Sequence, residues 1–182
     1  TPMCKECEAG WACTRAGMTT SYQTTCDAGH YCPKGTSKPS ANPCPAGTYT
    51  FKTNLGDSGE CEVCWRGHAC PAGTGLSPNP LPIQCAMGHY CPGVPHPGNG
   101  KHYYSGSYTG QTTGLANQYP CAPGSYTNST DLWDPAQCTA CPEGSYCSGG
   151  TSAPDGLCSA GYYCPMNSHL FTQTPCAAGT YN

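Results

Sequence analysis

The sequence predicts a small disulfide-rich fold: an elongated tandem array of cysteine-rich modules with little regular secondary structure and short β-strands. Three observations carry this reading. First, 18 of the 182 residues are Cys, about one in ten, a density that marks a disulfide scaffold. Second, only twelve residues are Leu, Ile, Val or Phe, and the 37% counted as hydrophobic is largely Cys, Ala and Tyr. A share of roughly 7% falls far below the ~20% that an ordinary core needs, so a globular enzyme of this length has nothing to fill its centre. Third, the cysteines are placed regularly. They fall at 4, 7, 13, 26, 32, 44; then 61, 64, 70, 85, 91, 121; then 138, 141, 147, 158, 164, 176. With a net charge of only −3 and 13 Tyr, the chain does not have the composition of a disordered one.

Each set reads C-x2-C-x5-C-x(10–14)-C-x5-C and ends on a sixth Cys after 11 or 29 residues, with 16 residues between sets. Three copies of a six-cysteine unit predict three modules: 1–60, 61–137 with an insertion near 92–120, and a truncated 138–182. Within each unit a smaller motif, C-x-x-G, recurs three times, as in CEAGWAC from Cys7, CDAGHYC from Cys26 and CPAGTY from Cys44. A fixed Gly three residues after a cross-linked Cys marks a turn with positive φ. Tyr or Ala follows two residues later, where it can lie against a neighbouring disulfide. No stretch sustains a 3.6-residue period, and Pro or Gly interrupts every window of about ten residues. Short strands are expected within 47–51 and 124–128, and modules that touch only their neighbours.

An even set of 18 cysteines belongs to an oxidising compartment. Cys4/Cys7, Cys61/Cys64 and Cys138/Cys141 are each C-x2-C, but none has the second pair that a tetrahedral zinc site wants. No apolar run reaches eight residues, so neither a signal peptide nor a membrane span is expected here. The start at Thr1 reads as a processed product or an excerpt of something longer. With 7 Lys plus Arg and no basic run, nucleic acid is excluded as a partner.

CPAGTY at 44–49, the 16-residue spacing to Cys61 and Cys64, and CAMGHYC from Cys85 resemble the ephrin-receptor-like cysteine-rich repeat. That family occurs in tandem in large extracellular proteins, many from protists, and is similar in style to the modules of tumour necrosis factor receptors. The resemblance covers nearly the whole chain except 92–120. It implies an extracellular, disulfide-rich rod, and it implies the pairs Cys44–Cys61 and Cys121–Cys138. The other four cysteines of each unit could pair crossed (Cys7–Cys26, Cys13–Cys32) or as tight hairpins (Cys7–Cys13, Cys26–Cys32). Sequence does not choose between them; the crossed form is preferred here. In this phase Cys4 and Cys176 have no partner at the expected spacing. They are candidates for an open-ended array or for a bond between subunits.

No catalytic constellation has supporting context, so the chain is read as a non-enzyme without cofactors or metals. His30, His68 and His89 share one motif slot, but other copies place Trp11, Ser145 and Tyr162 there, which marks packing rather than ligation. Asp131 and Asp134 flank Trp133, the nearest approach to a calcium site. Asn128-Ser129-Thr130 is the only N-x-S/T sequon and a candidate for an N-linked glycan; stretches 36–40 and 172–175 have the composition for O-linked sugars. In the insertion, Tyr103, Tyr104, Tyr108 and Tyr119 sit among Gly, Ser and Thr, a composition suited to assembly or glycan contact. A surface hairpin folded back on its own module is the equal alternative.

The expected function is structural: a self-associating, glycosylated, extracellular or cell-surface subunit of a filament, flagellar hair (mastigoneme-like), wall or matrix. A head-to-tail homopolymer follows from the phase of the cysteines. The alternative is a ligand-binding or stalk ectodomain of a receptor.

Overall fold

The computed structural model describes residues 4–20, 24–76, 81–93 and 118–182. The chain is a disulfide-rich array of short antiparallel hairpins, built on one recurring step. Every step starts at a C-x-x-G motif and ends at the next, which divides the chain into units 7–25, 26–43, 44–63, 64–84, 85–120, 121–140, 141–157 and 158–175, with a ninth opening at Cys176. In the first, Trp11–Ala12 pairs with Thr24–Thr25; in the second, His30–Tyr31 with Asn42–Pro43. Thr48–Tyr49 pairs with Glu62–Val63, and His68–Ala69 with Ile83–Gln84. His89–Tyr90 pairs with Tyr119–Pro120 across the insertion. Ser125–Tyr126 with Thr139–Ala140, Ser145–Tyr146 with Gly156–Leu157, and Tyr162–Tyr163 with Thr174–Pro175 complete the series. A two-residue pair buries too little to be stable alone. Its stability comes from staples and from the neighbouring step.

The motif dictates the entry turn. In C-x-x-G-x the amide after Gly bonds the carbonyl three residues back, as in His30 N to Asp27 O at 3.0 Å and Thr48 N to Pro45 O at 3.0 Å. The nine motif glycines have φ between +77° and +89°, the third position of a type II turn, which only Gly takes without strain. Each hairpin closes when the next motif Cys donates its N–H to that Gly carbonyl, from Cys26 N to Gly10 O through Cys176 N to Gly161 O, at 2.8–3.0 Å.

Six disulfides staple residues six apart: Cys7–Cys13, Cys26–Cys32, Cys64–Cys70, Cys85–Cys91, Cys141–Cys147 and Cys158–Cys164. The crossed pairing preferred from sequence is therefore wrong. The type II turn folds each C-x5-C back on itself and brings its two Cα atoms to 5.8–6.1 Å, within bonding reach. Cys44–Cys61 and Cys121–Cys138 form longer staples of 17 residues, in the two units with no second Cys after the turn. Thr50 and Thr127 stand in that vacated place, both buried.

What little core exists is made of these staples. Tyr49 packs with Cys64, Cys70 and Trp65; Ala12 packs with Cys26 and Cys32; Ala69 packs with Cys85 and Cys91. In each case the residue two after a motif Gly lies against the disulfide of the following unit. The module limits at 60/61 and 137/138 fall inside hairpins, and the bonds between units run across them unchanged. The repeating mechanical unit is thus one hairpin rather than six cysteines.

Candidate functional site

The chemistry-bearing surface of this chain is the face on which one unit meets the next. Three backbone bonds recur there. The motif Gly N–H of one unit donates to the carbonyl seven residues into the next unit: Gly10 to Cys32, Gly29 to Thr50, Gly47 to Cys70, Gly67 to Cys91, Gly88 to Thr127, Gly124 to Cys147 and Gly144 to Cys164, all 2.8–2.9 Å. Three residues on, Cys13, Cys32, Cys91 and Cys147 N–H groups reach Thr36, Leu55, Leu132 and Ser168 carbonyls. A return bond comes from a second turn, for example Gly73 N to Cys44 O at 2.9 Å and Asn167 N to Cys141 O at 2.9 Å.

That second turn also reaches the unit beyond. Its central residue again has positive φ: Gly35, Asn54, Gly73, Asp131, Gly150 and Asn167, three of them the Asn or Asp that tolerate this region best. The carbonyls of five of these sit over motif glycines two units earlier. A Cβ on Gly10 would lie 2.5 Å from Asn54 O, and one on Gly67 would lie 2.7 Å from Asp131 O. Gly29, Gly88 and Gly124 are covered more closely still by the carbonyls of Gly73, Gly150 and Asn167. These five motif glycines therefore serve twice, as turn formers and as seats with no room for a side chain, whereas a Cβ on Gly47, Gly144, Gly161 or Gly179 would meet nothing within 4 Å.

Sequence reasoning reached the first role and missed the second turn. Its signal was present: CPKGT at 32–36, CPAGT at 70–74 and CSGGT at 147–151 repeat the entry motif after the staple. The hydroxyls of Thr36, Thr74 and Ser168 tie this turn to the carbonyl three residues back at 2.5–2.6 Å. Also unread was a cross-unit contact in which the Arg66 guanidinium stands 4.6 Å from the Trp133 ring centroid, bridging the fourth and sixth units.

The slot histidines are structural. His30, His68 and His89 each turn Nδ1 toward the carbonyl two residues earlier, at 3.2–3.4 Å, and His30 and His68 are buried. The Asp134 carboxylate caps a short 3-10 turn by accepting the Ala136 N–H at 2.8 Å, while the backbone carbonyl of Asp131 covers Gly67. Among the described residues no three His, Cys, Asp or Glu side chains gather into a metal cluster, and no helix is long and apolar enough to cross a membrane. Among the described residues, the titratable groups held away from their ordinary values are Tyr49, Glu62 and Lys52. Tyr49 Oη donates to Glu62 Oε2 and Lys52 Nζ donates to Oε1, both at 2.9 Å. Burial, then the Glu62 hydrogen bond and charge, pushes the Tyr49 phenol up to about 12. The Lys52 hydrogen bond, followed by that of Tyr49, holds the Glu62 carboxyl below its ordinary value. This set ties the two strands of one hairpin.

Cys4 and Cys176 are both free, so they are not bonded to each other within the chain. Asn128, Ser129 and Thr130 are exposed, as a sequon must be to carry a glycan. Tyr119 is exposed and stacks on Tyr90 with centroids 5.6 Å apart; Tyr103, Tyr104 and Tyr108 lie outside the described residues. Neither a family model nor a curated protein sequence matches the chain.

Proposed function

We propose that this protein is a non-enzymatic extracellular structural protein, a subunit of a filament, flagellar hair, wall or matrix assembly. The observation that supports it is the recurrence of one set of backbone bonds at seven successive junctions. Backbone bonds are indifferent to side-chain identity, so the array adds units in one direction without new recognition chemistry. Eight staples suit an oxidising compartment outside the cell. The resemblance to ephrin-receptor-like repeats points the same way, and the exposed Asn128 suits a glycoprotein. Negative-stain electron microscopy of the oxidised protein tests the reading: long regular filaments are expected. Monodisperse particles at every concentration would instead favour a receptor stalk or ectodomain.

A further inference from the structure

We propose that Tyr90 and Tyr119 form a modification site: oxidation of the stacked pair joins their rings as dityrosine and clamps the base of the insertion. The inference goes beyond the structural reading above and does not depend on self-association.

Register places the two rings together. In each of the eight described hairpins, the residue two after the motif Gly stands opposite the second residue before the next motif Cys. Where that slot holds Tyr, its partner elsewhere is Asn42, Glu62, Thr139, Gly156 or Thr174. In unit five, alone among the described hairpins, a second tyrosine stands opposite: Tyr90 faces Tyr119. The rings stack with centroids 5.6 Å apart and planes 26° from parallel. Cβ atoms of directly opposed strand residues lie about 5 Å apart, so rotation about the side-chain bonds brings ring carbons into contact. Tyr119 is 49% exposed, which opens the pair to an oxidant. The flanking cysteines are bridged as Cys85–Cys91 and Cys121–Cys138, so they offer no thiol to quench a radical.

Unit five is also where a clamp has most to do. Residues 91–118, 28 in all, separate its paired tyrosines, against 9 (147–155) to 13 (70–82) in the other hairpins. A longer loop costs more closure entropy. Units three and six tie their closing strand with the long staple, but neither cysteine pair here joins the strand of Tyr119 to that of Tyr90. Hydrogen bonds hold the base, among them Cys121 N to Gly88 O at 2.8 Å and Ala86 N to Gln118 Oε1 at 3.3 Å. A biaryl bond between Tyr90 and Tyr119 supplies the missing covalent tie.

The oxidant is hydrogen peroxide acting through a haem peroxidase. Each phenol gives up one electron and its proton, leaving two tyrosyl radicals. These couple through the ring carbon beside each C–O, forming one C–C bond. The hydrogens displaced from those carbons move to the oxygens and restore both phenols. The two electrons and two protons break the O–O bond of one peroxide and leave two waters. Because the rings are already opposed, coupling is effectively unimolecular.

The test treats dilute folded protein, its free thiols capped with iodoacetamide, with a haem peroxidase and limiting hydrogen peroxide. The product is then denatured, reduced and cut with trypsin, which releases 67–101, whose one tyrosine is Tyr90, and 102–182. These peptides are expected to stay joined, lighter than their sum by two hydrogens, with fragment spectra placing the bond at Tyr119. The protein is expected to remain at monomer mass before cleavage. The yield should exceed that of any other intrachain tyrosine pair by about tenfold or more, as a preset pair implies. Tyr90→Phe and Tyr119→Phe keep a ring in the stack but remove a phenol. Each should abolish the Tyr90–Tyr119 product while leaving the circular dichroism unchanged. Absence of that product from the wild type, bonding of Tyr90 to a different tyrosine in its place, or an equal yield from reduced and denatured protein would overturn the proposal.

Discussion

Replacing Gly67 by Ala separates the two roles of the motif glycine. At φ +77° any L residue is strained, by about 1–2 kcal/mol. Gly144→Ala carries the same strain at φ +82°, but its added Cβ meets nothing within 4 Å. At Gly67 the methyl would stand 2.7 Å from Asp131 O and 3.2 Å from Asp131 C and Cα. These are backbone atoms that cannot swing aside. Restoring van der Waals contact needs a shift of roughly half an ångström or more. That shift loosens the bonds pinned to the same atoms: Gly67 N to Cys91 O at 2.8 Å, Cys85 N to Gly67 O at 2.9 Å and Cys91 N to Leu132 O at 2.8 Å. At about 1 kcal/mol each, partial loss of three adds about 2–3 kcal/mol to the strain. Gly67→Ala should therefore cost about 4 kcal/mol and Gly144→Ala about 1–2 kcal/mol. Guanidinium unfolding with disulfides intact reads the global effect. Amide exchange at Cys85 and Cys91 reads the local one, where acceleration on the order of fifty-fold is expected for Gly67→Ala alone. Equal costs for the two variants would refute the argument that the second turn seats on the glycine.

Other outcomes follow from the staples and the polar set. Removing the long staple as Cys44→Ala/Cys61→Ala should cost about 3 kcal/mol and the short staple as Cys64→Ala/Cys70→Ala about 2 kcal/mol, because the longer loop regains more chain entropy; urea unfolding of the two double variants checks the order. Full reduction should abolish the array's circular dichroism signature, and an unchanged spectrum would defeat the claim that staples replace a core. Because the folded Glu62 carboxyl titrates below its ordinary value of 4.5, its stabilisation is present above that value and lost as pH falls through the folded value; Glu62→Gln should flatten this part of the acid limb. The Tyr49 phenol runs in the opposite direction, since its contribution is present below pH 10 and lost as pH rises toward about 12; tyrosinate absorbance should show one late-ionising residue that vanishes in Tyr49→Phe. Secretion from a eukaryotic host should add a glycan at Asn128, and peptide mass spectrometry finding that site wholly unmodified would remove it.

The architecture was legible because cysteine spacing and the C-x-x-G turn are covalent and local facts. Gly10, Gly29, Gly47 and their equivalents announce positive φ without any knowledge of what surrounds them. Pairing inside C-x5-C was harder, because composition says nothing about which way a turn folds. Once Gly29 is placed in a type II turn, however, Cys26 and Cys32 can hardly avoid each other. The mechanical period was hidden for a different reason. Units three and six shift their staple downstream to Cys61 and Cys138, so the eye follows sets of six cysteines while the backbone repeats at every hairpin. The seat between second neighbours was beyond reach, since it joins Gly10 to Asn54 and Gly88 to Gly150 across distances no local pattern records.

The two staple lengths give the array different responses to tension. A short staple such as Cys64–Cys70 locks a six-residue separation and leaves the 15-residue step from Cys70 to Cys85 free to pull straight, about 50 Å of contour. The long staple Cys44–Cys61 locks 17 and leaves only the three-residue step to Cys64, about 10 Å. Thr50 and Thr127, which replace the missing Cys, hold their turns locally instead: their Oγ1 atoms accept the N–H groups of Lys52 and Ser129 at 3.1 and 3.2 Å. With bonds intact, units three and six therefore act as straps that barely lengthen, each following two hairpins that can yield.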